Sequence, residues 1–330
     1  MRTLGVMCPN STDATSLYRA IGPLGELQSA DKHLRIELMQ KCDWSTLKLV
    51  DAVFMQRPFT NAHLRIAQMI KANNKPLWVD FDDDLFAVPQ GNPCFETFSK
   101  PEIQKNIATV IAMADVLTVS TDALMQKFST LNDNISVIPN AIDMALIGEN
   151  IEPEIHRQPL IMWRGSKTHR KDLNTIAESC IHLAKKMPYA TWVFVGDVPW
   201  FVDYMPDKQV ICADALDPVE YFEFLKKTKP AVFIVPLEDS DFNRSKSNCA
   251  WLEASWSGAA TIAPALPEFI QPGISNYHDT NEFSSHVQFL IDNPVSRVNK
   301  AMESWNYIDS HLRLSFVNQL RLSILSEVGI

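Results

Sequence analysis

One pattern, used twice along the chain, limits what this sequence can fold into. Short apolar runs rich in β-branched residues occur as "TLGVM" at 3–7, "AVFM" at 52–55, "LWVDF" at 77–81, "VLTV" at 116–119 and "ISVI" at 135–138. Runs of this length without strict alternation predict strands buried on both faces. The segments between them carry helical spacing instead, with Leu64, Ala67 and Ile70 in 60–73, and Ile103, Ile107, Val110 and Ile111 in 102–113. Strand and helix in alternation imply a parallel sheet. After a polar, proline-containing stretch, "IGENIEPEIHRQP" at 147–159, the pattern restarts with "LIMW" at 160–163, "WVFV" at 192–195, "QVIC" at 209–212 and "AVFIV" at 231–235. The expected fold is therefore α/β, two Rossmann-like doubly wound parallel-sheet domains over 1–148 and 149–330 facing a central cleft. The last helix is an element able to pack back on the first domain. Both sheets can aim their strand C-terminal ends at one crevice, which makes the cleft the expected ligand site.

The chain has 330 residues, 46% of them hydrophobic, with a net charge of -9 and a mean hydropathy of -0.08. These values fit a soluble globular protein with two filled cores. Charge divides evenly between the halves, so no basic domain or tail argues for nucleic-acid binding by charge alone. Six cysteines (Cys8, Cys42, Cys94, Cys180, Cys212 and Cys249) form no C-x-x-C pair, which suggests neither a zinc cage nor a disulfide framework. No 18-residue apolar run appears, and the N-terminal apolar stretch is short for a secretory signal. A cytoplasmic protein without a membrane span is expected.

Chemistry gathers at the predicted strand ends. "MWRGSKTHRKDL" at 162–173 sets Arg164, Lys167, His169, Arg170 and Lys171 directly after a strand, with Gly165 permitting close backbone approach and Ser166 beside it. A phosphate would be well served there; a solvated basic turn is the plain alternative. "FVGDVP" at 194–199 ends the next strand with a turn at Gly196. "DSDFNRSKSNCAWLEASWSGAATIAP" at 239–264 follows the strand at 231–235. In it Ser245, Ser247 or Asn248 can cap a helix beginning near Cys249, and Lys246 adds a charge at that positive end. A diphosphate is the natural occupant. Glu253 then sits alone on an apolar helix, where its carboxylate needs partners. The two vicinal hydroxyls of a ribose would supply them, and a salt bridge to an arginine elsewhere in the fold is the alternative. In the first half, "VDFDDDLFAVP" at 79–89 places Asp80, Asp82, Asp83 and Asp84 at a strand end, able to orient an acceptor hydroxyl, bind a divalent metal or cap a turn.

These features resemble GT-B glycosyltransferases, specifically glycosyltransferase family 4 and its phage and bacterial members. The segment "WLEASWSGAATIAP" is similar to the family's Leu-Glu-Ala, small residues, glycine and apolar strand that close over the donor. "STDATSLYRAIGPLGELQ" at 11–28, "VLTVSTDAL" and "ISVIPNAID" are similar to its acceptor domain. The resemblance implies that Glu253 binds the donor ribose, that Arg164 and Lys171 match an Arg/Lys pair on the diphosphate, and that no metal or other cofactor is required. It departs from the family at Ser245, where a glutamate touching the transferred sugar is usual.

The function implied is a retaining transfer of a hexosyl or pentosyl group from a nucleoside diphosphate sugar, of the UDP type, to a hydroxyl acceptor. Asp82, Asp83, Arg164 and Lys246 are the expected catalytic residues. Gly165, Ser166, His169, Lys171, Gly196, Ser245, Ser247, Asn248 and Glu253 are expected at the donor, and Tyr18, Arg19 and Asp84 at the acceptor. That acceptor is a glycan, a small molecule or a modified DNA base. A phage-type DNA glycosyltransferase acting on hydroxymethylated pyrimidines is the competing enzyme, and a non-catalytic nucleotide-binding module the alternative of another class.

Overall fold

A computed structural model describes residues 1–10 and 13–330. Ser11 and Thr12, which open the 11–28 segment, lie outside the described residues. Strands β1 (Arg2–Met7), β2 (Leu34–Leu38), β3 (Ala52–Gln56), β4 (Leu77–Phe81), β5 (Val116–Val119) and β6 (Ile135–Val137) form one sheet in the order β2-β1-β3-β4-β5-β6. A second sheet, β12-β11-β10-β7-β8-β9, is built from β7 (Leu160–Gly165), β8 (Thr191–Gly196), β9 (Val210–Ala213), β10 (Val232–Ile234), β11 (Ala260–Pro264) and β12 (Ser275–Tyr277). Every pairing is parallel. Strand order reverses between β1 and β3 in the first sheet and between β7 and β10 in the second. These are the switch points where open α/β sheets bind ligands. The molecule is two Rossmann-like units of the GT-B architecture.

Side chains alternate across each central strand, so both faces of each sheet are buried. On the first sheet, Leu4, Phe54 and Trp78 pack on one face, while Val53, Val79 and Leu117 meet α2 (Asn61–Ala72) and α3 (Pro101–Met113) on the other; α1 (Gly22–Ala30) covers the first face. The helix α4 (Asp122–Phe128) follows β5. The second sheet is covered by α5 (Ala177–Lys186) and α8 (Thr280–Asp292) on one face. On the other lie α6 (Pro218–Thr228), α7 (Cys249–Trp256) and α9 (Pro294–His311). The final helix α10 (Leu314–Glu327) returns to the first sheet. Its Val317, Ile324 and Leu325 join the core of Leu4 and Leu24, and the Asn318 Nδ2 donates to the Pro23 carbonyl at 2.9 Å.

Two strands carry no clear signal in sequence, and both are edges. β2 reads "LRIEL", with Arg35 exposed, and β12 has three residues. Edge strands need no continuous apolar run because one side faces solvent or a loop. Among the described residues no helix is long and apolar enough to cross a membrane.

Candidate active site in the cleft between the sheets

The C-terminal ends of both sheets converge on a cleft of about 340 Å³. From the first sheet it receives Ala14 and Thr15 after β1, Arg57 after β3, and Asp82 and Asp83 after β4; from the second, Arg164 at the end of β7, His169 after it, and Lys246 and Ser247 ahead of α7. Several bonds cross it. The Tyr18 hydroxyl donates to Glu253 at 3.2 Å, the Asn140 amide to Ser247 Oγ at 2.8 Å, and the Thr121 hydroxyl to the Ser245 carbonyl at 3.0 Å.

Glu253 owes its place to Arg164. The guanidinium makes two bonds of 2.7 Å to the two carboxylate oxygens, the bidentate geometry that arginine favours. Glu253 itself is buried while Arg164 lines the cleft, so the acid sits behind the cation and fixes its direction. The two oxygens that a ribose diol would need are already engaged. Burial opposes the charge on Arg164, but Glu253 outweighs it and holds the guanidinium firmly ionised.

Across the cleft, Arg57 bonds to both Asp82 and Asp83. Its backbone has φ +47°, an uncommon conformation for a residue with a side chain. Its N–H reaches the Asp80 carbonyl at 2.9 Å, and the left-handed turn brings the guanidinium into the cleft. Burial, with the neighbouring Asp83 charge, pushes the Asp82 carboxyl up to about 6 against the pull of Arg57. Asp83 moves the other way: burial opposes its charge, but Lys246 and Arg57 together hold it below the ordinary carboxylate range. Lys246 Nζ lies 3.8 Å from Asp83 and 4.9 Å from the Phe242 ring centre.

The turn after β7 supplies the rest. Ser166 caps a short turn at Lys167–His169 by accepting from the Thr168 N–H. The His169 Nδ1 is 2.9 Å from the Asp172 carboxylate, which leaves Nε2 for the cleft. Burial, and then Lys246, keep this ring's pKa low and the imidazole neutral. Gly196, at φ +100°, lies so close to Gly165 that a Cβ would come within 2.3 Å of its carbonyl oxygen. The two strand ends can approach only because position 196 is glycine. α7 begins without a side-chain cap, and Cys249 and Ala250 of its first turn line the cleft.

Several expected residues point elsewhere. Arg19 is buried against Asp80, with bonds of 3.0 and 2.6 Å, and does not reach the cleft. The cause is the π-type turn at Leu17–Ile21, in which the Gly22 N–H bonds to the Leu17 carbonyl and adjacent side chains diverge, Tyr18 outward and Arg19 inward. Asp84 is buried and bonds Lys127 Nζ at 2.6 Å, away from the cleft. Lys171 is exposed, 3.0 Å from Glu238, and is not among the residues that line the cleft. The Ser245 hydroxyl turns back to the Asp241 carbonyl, and the Asn248 amide donates to the Glu268 carbonyl instead of capping α7. The correction for these five is the same: each side chain satisfies its own fold. Gly165 and Gly196 contribute backbone shape, while Tyr18, Asp82, Asp83, Arg164, Ser166, His169, Lys246 and Ser247 come together. Sequence reasoning missed Arg57, Asn140 and Trp163. An arginine followed by proline directly after β3 was the available signal for the first. Among the described residues no cluster of three or more His, Cys, Asp or Glu side chains is placed to hold a metal.

The fold and the convergent strand ends define a GT-B protein, and solved structures of that architecture match over nearly the whole chain. HepE of Anabaena in complex with UDP is 14% identical, with a TM-score of 0.66 and 99% of this chain covering 100% of that one. Sucrose-phosphate synthase from Thermosynechococcus elongatus is 12% identical at a TM-score of 0.69, covering 100% and 99%. An alpha-glucosyltransferase in complex with UDP-glucose and DNA containing an abasic site is 12% identical at 0.66, covering 99% of each chain. No protein-family model and no curated protein sequence matches.

Proposed function

We propose that this protein is a glycosyltransferase that binds a UDP-sugar against the second sheet and transfers its glycosyl group to a hydroxyl acceptor held by the first. The observation that carries this reading is the joint exposure of Arg164, Lys246 and the uncapped start of α7 on one cleft wall, opposite Asp82 and Asp83. Cations and a helix N-terminus beside each other suit a diphosphate. As the bond from the sugar's anomeric carbon to the diphosphate oxygen breaks, negative charge grows where these groups lie, which is where electrostatic stabilisation lowers a barrier. The HepE and glucosyltransferase neighbours were solved with UDP or UDP-glucose, in support of that donor class.

Glu253 acts in this reading through Arg164, locking the guanidinium toward the phosphates. Asp82, whose carboxyl is pushed up to about 6, accepts a hydrogen bond from the acceptor hydroxyl, and protonation removes the charge that strengthens this bond. The reaction retains anomeric configuration by front-face displacement, with the departing phosphate oxygen taking the acceptor proton.

The test is to incubate the protein with UDP-hexoses and candidate acceptors, follow UDP release, and determine product configuration by NMR. UDP release with an α-product from an α-donor is the expected result. An inverted product removes the front-face mechanism. Tight UDP binding with neither transfer nor donor hydrolysis would identify a nucleotide-binding module. Duplex DNA carrying hydroxymethylated bases belongs among the acceptors because one structural neighbour was solved with DNA; activity confined to it, falling steeply with salt, would identify a DNA-modifying enzyme.

A further inference from the structure

A second groove, of about 500 Å³, opens at the C-terminal ends of β1, β2 and β3, on the far side of the Gln56–Pro58 turn from Arg57. It lies at the switch point between β1 and β3, where open parallel sheets hold ligands. Gln56 lines it, yet is only 3% exposed, and neither Nε2 nor Oε1 of its carboxamide has a hydrogen-bond partner. A buried amide with both ends unpaired is costly, and few positions in a native protein keep one without a reason.

The other groups in the groove narrow what could satisfy it. The His63 Nδ1 accepts from the backbone N–H of Phe59 at 3.1 Å and of Thr60 at 3.4 Å, so the ring's proton sits on Nε2 as a further donor. The walls join apolar Met7, Met39, Met55, Val6 and Leu38 to the neutral polar side chains of Asn10 and Gln40, and among the described residues no Lys, Arg, Asp or Glu lines the groove. Thioether and aliphatic patches beside three carboxamides, of Asn10, Gln40 and Gln56, and one imidazole donor suit an uncharged molecule that has an apolar face and adjacent hydroxyls. A phosphate or carboxylate finds no cation here.

We propose that this groove binds a neutral sugar unit, the Gln56 carboxamide donating to one hydroxyl and accepting from its neighbour while the methionines cover the ring face. As a subsite for the acceptor it rests on the glycosyl-transfer reading; as a binding site for a neutral glycoside it stands alone. The single Gln56–Arg57 step joins it to the cleft, which would place an acceptor's outer sugar in the groove and its reacting hydroxyl near Asp82.

The full chain labelled with 13C-methyl methionine tests this. Methyl glucoside, methyl galactoside and methyl N-acetylglucosaminide are titrated separately, then UDP, then deoxycytidine. At least one glycoside should shift the Met7, Met39 and Met55 methyl signals. Gln56→Leu should weaken that response tenfold or more, leave the UDP titration unchanged, and melt no lower than the parent, because it removes an unpaired buried amide. Gln56→Met serves as a second variant of similar length. The proposal is overturned if no glycoside moves these signals, if the response survives in both variants, or if only deoxycytidine produces it. Glycoside binding without UDP binding would uphold the groove and remove the transferase reading, so the two failures are distinguishable.

Discussion

Arg164 and Glu253 hold each other at the boundary between core and cleft, and their unequal exposure decides what mutation does. Glu253 has a side chain 4% exposed against 28% for Arg164. Removing the arginine leaves a buried carboxylate beside the Tyr18 hydroxyl without its cation, whereas a widowed arginine can turn to solvent. Arg164→Ala should therefore cost about 3–5 kcal/mol in denaturant unfolding, the range for breaking a buried pair. Arg164→Lys should recover only part of this, because an ammonium cannot make the two-pronged bond. An Arg164→Ala protein as stable as the parent would show the pair to be incidental. Asp82 carries the pH dependence on the cleft wall. Its native carboxyl titrates near 6, above the ordinary value of 3.8, so the native state holds an extra proton between those values. Stability from this group is present below about pH 4 and is lost as pH rises through 6. Asp82→Asn should remove the loss, gaining roughly 1–3 kcal/mol relative to the parent between pH 4 and 7. Urea melts across that range would show a constant difference if the carboxyl were unshifted.

At the scale of elements, α7 joins the site to the linker. Gly258, with φ +70°, ends this helix, and a Cβ there would meet the Ile151 carbonyl at 2.3 Å and an Arg157 guanidinium nitrogen at 2.5 Å. Gly258→Ala should lower stability by at least about 1 kcal/mol, since both the left-handed backbone and the packed linker resist a side chain. A melting temperature equal to the parent's would contradict this close fit. The helix itself was legible in sequence, from its apolar run and closing glycine. So were the central strands, because burial on both faces forces continuous β-branched runs. The edge strands β2 and β12 were not, since their neighbours bury only part of them. Side-chain direction was the hardest to read. Tyr18 and Arg19 are adjacent, yet a π-type turn sends one to the cleft and the other to Asp80. Lys171 lies two residues past His169, and only the histidine faces the cleft. Arg57 needed a left-handed backbone that no residue type announces.

For the whole molecule, the decisive feature is how the two sheets face each other across a cleft that already carries bonds between them. Lys127 reaches the Asp241 carbonyl at 3.3 Å, and Asn140 and Thr121 hold the segment before α7. One contact opposes this closure. Glu268, after β11, is pushed up to about 7, first by burial and then by Asp122 of the first sheet's α4. Its contribution to stability is present below the ordinary glutamate value and is lost as pH rises through 7. Glu268→Gln should raise the melting temperature at pH 8 and not at pH 4; equal effects at both would remove the charge from the explanation. The central claim, that Lys246 and its neighbours receive a diphosphate in this cleft, is tested most directly by calorimetric titration of the parent and Lys246→Ala with UDP and with uridine. The account predicts that UDP binds the parent and that the variant loses about 10- to 150-fold in UDP affinity, the equivalent of one charge-assisted hydrogen bond, with uridine unchanged. Failure of UDP to bind, or an equal loss for both ligands, would contradict it.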